Sequence, residues 1–329
     1  MFLYYIDIVF YKCYTIIKKW LVKYMKTMKL GNSSLEVPMI GLGCMRISEL
    51  DEQETSEYLM HCLELGINFF DHADIYDEGE CERRFAEGIK ALKIPREDIT
   101  IQSKCGIIPH RYYDLSYDYI ISSVDGILKR LDTDYIDILV LHRPDALADP
   151  EEIAKAFDEL EAKGKVKHFG VSNHKPTQID LLKQYVKQDI IVNQMQFSIQ
   201  SSSMISSGLE ANMITEGSID RNGGVLDYCR MKDISVQAWS PFQGPHGAFI
   251  DKNELYPDLN WALGEICAKY GVSKTTIAAA WILRHPAKIQ IIAGTMNSYR
   301  IGEVAKAPEI TLTRDEWYRL YQCAGHILP

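Results

Sequence analysis

The chain has 329 residues and a formal net charge of −9, with 47% hydrophobic and 25% charged residues. Those proportions exclude disordered and fibrous classes and supply apolar material for one large core. The acidic balance offers no basic face for nucleic acid, so no nucleic-acid partner is expected.

The charge is uneven along the chain. Residues 1–27 hold five lysines against one aspartate, while the remainder has 31 basic and 44 acidic residues. The opening stretch is interrupted by Asp7, Lys12, Lys18, Lys19 and Lys23, so no run reaches the ~20 apolar residues of a membrane span. Its apolar part precedes its basic part, the reverse of a signal peptide. Two readings of the strip stand side by side. One is a basic amphipathic surface helix; the other is an over-extended start, with Met25 or Met28 as initiator. The expected organisation is an extension over 1–27 followed by a single domain over 28–329. Eight scattered cysteines without a C-x-x-C pair read as reduced thiols of a cytoplasmic protein. Nine equally scattered histidines suggest no metal site.

From Met28 onward, short apolar runs alternate with helical stretches. The runs 39–43, 67–73, 99–104, 135–142, 166–172, 190–196, 234–240 and 289–294 predict strands. Between them, helices are expected near 53–65, 81–91, 117–131, 151–163, 177–187, 222–232, 256–270, 273–284 and 298–306, with a last one over 313–324. Eight strands, each followed by a helix, is the pattern of an α/β fold of the (β/α)₈ TIM-barrel type, for which about 250 residues suffice. A doubly wound sheet also alternates strand and helix, but its glycine fingerprint is missing: Gly41 and Gly43 are followed by Cys44, Met45 and Arg46. The Ser- and Gly-rich segment 197–220 is long for a loop and is expected at the C-terminal face of the barrel, where such folds do chemistry.

Polar groups gather at the C-terminal ends of these strands. Asp71 ends the second, with Tyr76 in the loop after it. Lys104 ends the third and His142 the fourth. Ser172 and Asn173 end the fifth, Asn193 and Gln194 lie in the sixth, and Trp239 and Ser240 end the seventh. Singly, a strand-end Asp is a turn residue, a Lys snorkels and a His is structural. Four on consecutive strand–helix junctions point to chemistry. A tyrosine hydroxyl titrates near pH 10. An adjacent ammonium lowers that value, a carboxylate keeps the ammonium charged, and a neutral His orients a carbonyl oxygen. Such a site protonates a carbonyl oxygen while hydride comes from a cofactor.

The segments GINFFDHADIY (66–76), IQSKCG (101–106), LHRPD (141–145), FGVSNH (169–174), VNQMQ (192–196), AWSPF (238–242) and IIAGTMNSYRI (291–301) resemble those of the aldo-keto reductase superfamily, in order and from about Met28 to Pro329. The resemblance implies a catalytic tetrad of Asp71, Tyr76, Lys104 and His142. Tyr76 would be the general acid, its pKa lowered by Lys104, which Asp71 salt-bridges. It implies nicotinamide contacts from Ser172, Asn173 and Gln194, stacking by Trp239, and a pyrophosphate contact from Ser240. Thr295 and Arg300 would hold the 2′-phosphate, with Glu303 near the adenine. Many members have Lys where Gly294 stands, which removes one phosphate contact. Arg300 remains, and a guanidinium pairs strongly with phosphate, so NADPH is the expected cofactor, with NADH as the alternative. Met45 replaces a frequent aromatic in the substrate pocket. Specificity is expected from Met45, from the loop holding His110, Arg111, Tyr112 and Tyr113, and from 197–220. Cys105 reads as a small buried residue.

The resulting expectation is NADPH-dependent reduction of a small carbonyl substrate to an alcohol. Two other readings compete. One is a cofactor-binding redox-sensing subunit with little turnover, to which an N-terminal extension is suited. The other is a lyase or isomerase using Lys104 as a Schiff-base amine, which requires a depressed lysine pKa.

Overall fold

The computed structural model describes residues 25–328. Eight parallel strands close into a barrel: β1 Ile40–Gly43, β2 Phe69–Asp71, β3 Thr100–Cys105, β4 Ile136–Leu141, β5 Val166–Ser172, β6 Ile190–Gln196, β7 Ser235–Trp239 and β8 Gln290–Ala293. Each pairs with its neighbour in sequence, and β8 pairs with β1 to close the cylinder. Strands β3 and β4 are buried at every position, because helices cover one face and the lumen covers the other.

The helices are α1 Glu52–Glu64, α2 Glu80–Ala91, α3 Tyr117–Arg130, α4 Pro150–Ala162, α5 Pro176–Lys183, α6 Ser203–Leu209, α7 Val225–Met231, α8 Pro257–Tyr270, α9 Lys274–Leu283, α10 Ser298–Ala305 and α11 Arg314–Cys323. Their starts follow capping chemistry legible in the sequence. Asp51 and Glu54 form a reciprocal capping box at α1, as do Thr313 and Glu316 at α11. Every expected strand and helix is present. α5 ends four residues before the expected 187, and α6 is an additional helix inside the segment 197–220. Among the described residues no helix is long and apolar enough to cross a membrane.

A β-hairpin absent from the sequence reading pairs Thr27–Lys29 with Glu36–Pro38 and plugs one end of the barrel. Its Met28, Leu30 and Val37 are buried against Phe69, Ile138, Val140, Ile191 and Ile292. Gly31 turns the hairpin with φ +56°, and a Cβ there would lie 2.5 Å from the Ile191 carbonyl oxygen, so only glycine fits. Beyond this apolar plug the lumen turns polar, with Gln102, Gln237 and Gln290 fully buried.

The hairpin shifts the expected domain boundary. Thr27 already pairs with Pro38, Met25 is buried in the core, and Lys26 Nζ donates to the Pro308 carbonyl at 2.6 Å. Residues 25–27 thus pack as part of the body. The remainder of the basic strip, and both readings of it, lie outside the described residues.

Candidate active site

A cleft of about 1000 Å³ opens at the C-terminal ends of the strands, the end opposite the plug. Parallel strands all deliver their last residues to this face, which is why side chains far apart in sequence meet here. Asp71, Tyr76, His142, Ser172, Asn173, Gln194, Trp239, Ser240, Thr295, Arg300, Glu303 and Met45 all border the cleft. Lys104 does not; it lies fully buried beneath Asp71 and Tyr76.

The Lys104 ammonium has three donors. It spends them on Asp71 Oδ2 at 2.8 Å, the His72 carbonyl at 2.7 Å and the Tyr76 hydroxyl at 3.1 Å. Burial by itself lowers this lysine's pKa, but Asp71 and Tyr76 more than reverse that, and the net direction is upward. The ammonium therefore stays charged.

Tyr76 opens a tight turn in which Asp77, Glu78 and Gly79 all have positive φ, at 47°, 52° and 84°. At Gly79 a Cβ would collide with the Arg130 side chain at 2.5 Å. Such backbone persists only where its surroundings enforce it, and here it sets the ring against Lys104. Desolvation raises the pKa of the Tyr76 hydroxyl; Lys104 opposes it without cancelling it. This corrects the expectation of a lowered value: burial outweighs the ammonium, and Tyr76 holds its proton at neutral pH.

His142 packs edge-on to Tyr76, with ring centroids 6.1 Å apart. Burial, then Lys104 and Arg143, push its pKa well below the usual histidine value. Its ring is thus neutral, and its Nδ1 is buried without a hydrogen-bond partner among the described residues. Cys105, next to Lys104, is buried with its thiol pKa pushed up, which leaves it unreactive.

The groups expected at the nicotinamide interlock. Trp239 Nε1 donates to Asn173 Oδ1 at 3.2 Å, Asn173 Nδ2 to Ser172 Oγ at 2.8 Å, and Ser172 Oγ to the Gln194 carbonyl at 2.8 Å. Asn173 and Ser240 both have positive φ, at 59° and 50°, which turns the chain sharply away from β5 and β7. Asn193 points the other way, with Nδ2 on the His174 carbonyl at 2.9 Å, because neighbours on a strand face opposite sides.

At the far end of the cleft, α9 and α10 present their N-termini. Ser273 and Asn297 cap them, accepting from Thr276 N at 3.2 Å and Arg300 N at 2.9 Å. Ser273, Lys274, Thr275, Asn297 and Arg300 border the cleft there. Arg300 is exposed and makes no ion pair among the described residues. Lys274 Nζ reaches Asp251 at 2.7 Å, tying the segment after β7 to α9. Arg46 Nη2 donates to the Gly294 carbonyl, and a Cβ at Gly294 would lie 3.5 Å from that nitrogen. A guanidinium thus lies against the backbone of the residue whose glycine identity was expected to remove a cation. The sequence reading missed Arg46, Arg143 and Lys274. The helix expected over 273–284 is α9, but that its N-terminus borders the cleft was not legible.

The expected specificity loops are largely displaced. No residue of 197–220 borders the cleft. That segment instead packs on the C-terminal region, with Ser202 Oγ 2.8 Å from His326 Nε2 and the Tyr321 hydroxyl donating to Ser206 at 2.9 Å. His110, Arg111, Tyr112 and Tyr113 are exposed on a small hairpin and do not border the cleft, although its Ile107 does. Ile107, Ile75 and Arg143 border the cleft with Met45, as do Phe242, Ala248 and Ile250 from the segment after β7.

Residues 39–324 match the model of the aldo/keto reductase family. The chain is 36% identical to a 6-dehydroglucose reductase of Agrobacterium fabrum, over 89% of this chain and 96% of that protein. It is 28% identical to an NADH-specific methylglyoxal reductase of Escherichia coli, over 88% of this chain and 95% of that protein. The solved structure of the thermostable aldo-keto reductase Tm1743, in complex with the inhibitor epalrestat, superposes with a TM-score of 0.74 at 26% identity, covering 91% of this chain and all of that one.

Proposed function

The chain belongs to the aldo/keto reductase family of NAD(P)H-dependent oxidoreductases, and from that premise we propose that it uses NADPH to reduce an aldehyde or ketone, with Tyr76 as the proton donor. The observation that carries this reading is the run of contacts Asp71–Lys104–Tyr76, which ends at the cleft beside a neutral His142.

A nicotinamide dinucleotide fits the residues present. Trp239 offers an indole anchored by Asn173. Ser172, Asn173 and Gln194 offer amide and hydroxyl groups. Two helix N-termini offer backbone donors to phosphate. Arg300 and Lys274 favour a further phosphate on the adenosine, and Arg46 supplies a cation beside Gly294. Guanidinium groups pair strongly with phosphate. When bound, the reduced nicotinamide supplies the hydride.

The protein side of the reaction is proton handling. His142, neutral, orients the carbonyl oxygen. Tyr76 gives its proton to that oxygen as negative charge grows there. The adjacent Lys104 ammonium then stabilises the phenolate. Asp71 keeps the ammonium in place. The same charge state disfavours Schiff-base chemistry, since a protonated Lys104 with all donors engaged is no nucleophile.

Two measurements test the reading. Tryptophan fluorescence quenching is expected to show tighter binding of NADPH than of NADH; equal affinities would overturn the cofactor assignment. Tyr76→Phe is expected to bind NADPH as the parent does while losing turnover; parental turnover in that variant would overturn the role of Tyr76.

A further inference from the structure

Between the apolar plug and Asp71 the lumen holds a continuous series of amide side chains that the proton transfer itself does not use. At its base the Pro38 carbonyl accepts from Gln290 Nε2 at 2.9 Å. Gln290 Oε1 accepts from Gln237 Nε2 at 2.8 Å. Gln237 and Gln102 exchange a pair of bonds: Gln102 Nε2 donates to Gln237 Oε1 at 2.9 Å, and Gln237 Nε2 to Gln102 Oε1 at 3.1 Å. Gln102 Nε2 also donates to Asp71 Oδ1 at 2.7 Å. Gln194 Nε2 reaches the same Oδ1 at 3.1 Å and Gln237 Oε1 at 3.3 Å.

The sense of each amide is forced. A carbonyl and a carboxylate only accept, so Gln290 must turn its NH₂ to Pro38 and Gln102 must turn its NH₂ to Asp71. Gln237 must then give its NH₂ to Gln290 and its oxygen to Gln102. Flipping any one of the three would set two acceptors against each other in a buried site, where an unmade bond is expensive.

We propose that Gln102, braced by Gln237 and Gln290, is a positioning residue that fixes Asp71 Oδ1 and so keeps Oδ2 on Lys104 and Lys104 on Tyr76. The proposal deepens the reading above and rests on Tyr76 being the proton donor. Lys104 has no spare donor. Its bond to Tyr76 is the longest of its three, at 3.1 Å, and is the first lost when the carboxylate turns.

The test is Gln102→Met, which keeps length and volume but removes the amide. Turnover with methylglyoxal as the carbonyl probe is expected to fall roughly 10- to 100-fold, the scale of a misplaced reacting group. Substrate KM and NADPH affinity are expected to stay unchanged. The alkaline limb of the reduction profile should also move to higher pH. Tyr76 is faced by Lys104, Asp71, Cys44 and His142, and loosening Lys104 removes the influence that lowers its proton affinity. Parental turnover and an unmoved limb would overturn the proposal. So would a turnover loss that merely tracks the folded fraction with the limb unmoved. Gln237→Met, one step further from Asp71, gives the same readouts with a smaller effect and decides the matter if Gln102→Met does not fold. Tyr76→Phe is measured in parallel. An inactive Tyr76→Phe beside a fully active Gln102→Met removes the positioning role alone, whereas an active Tyr76→Phe removes the reading beneath it.

Discussion

The two ends of the cleft are built in opposite ways. At the reacting end, Asp71 and Lys104 project from strands, are buried, and have their hydrogen bonds satisfied inside the protein. At the phosphate end, Arg300 and Lys274 stand at helix starts, and Arg300 is exposed and unpaired among the described residues. The difference follows from what each end must do. A proton donor must be held before substrate arrives, because its proton affinity depends on fixed neighbours. A phosphate clamp meets a ligand that brings its own charge, so Arg300 stays solvated until then, while Lys274 is held meanwhile by Asp251.

That contrast can be broken by substitution, and the largest effect is expected at the reacting end. Tyr76→Phe should lower kcat by about 10²- to 10⁴-fold, the range of general acid catalysis, in a steady-state assay with NADPH. Next is Asp71→Asn, which leaves the Lys104 charge buried without its counter-ion. Unfolding in denaturant should show a loss of about 3–5 kcal/mol, together with loss of turnover. At the phosphate end Arg300→Ala should leave stability intact and weaken NADPH by about 10- to 100-fold, the scale of one charge-assisted bond, with NADH unchanged; fluorescence titration measures both.

The pH response sharpens the same contrast. Tyr76, with its pKa raised, is protonated below that value and loses its function as acid only above it. His142, with its pKa lowered, is neutral until the pH falls well below its usual range. Carbonyl reduction at saturating substrate should therefore vary by less than about twofold between about pH 6 and pH 8. The smallest effect is expected outside the cleft. Ile214→Ser, in the segment 197–220 at a fully exposed position, should change stability by no more than about 0.5 kcal/mol and leave substrate KM unaltered.

Much of this site was legible before any coordinates. Asp71, Lys104 and His142 stand at the ends of apolar runs, and an ionisable group there demands a partner. The helices expected from 53, 273 and 313 start within a residue of those positions, because a cap is a local hydrogen bond. The loops were not. Segment 197–220 drew attention by its length, yet it packs on Tyr321 and His326, contacts more than a hundred residues away. The hairpin ahead of β1 was missed because its strands are three residues each, too short to show alternation. Gln102, Gln237 and Gln290 gave no signal at all. A single glutamine in an apolar strand has the same pattern whether it faces solvent, a helix or the lumen.

The order of strands and helices, and the four polar residues on three consecutive strand–helix junctions, were determined by the sequence alone. Both rest on spacing along the chain, which fixes where each side chain leaves its strand. The tertiary structure decided which loops border the cleft, that Arg46 reaches Gly294, that the glutamines join the plug to Asp71, and that burial rather than Lys104 sets the direction of the Tyr76 shift. Those outcomes depend on distances across a closed barrel and on exclusion of water, and neither exists until β8 has paired with β1.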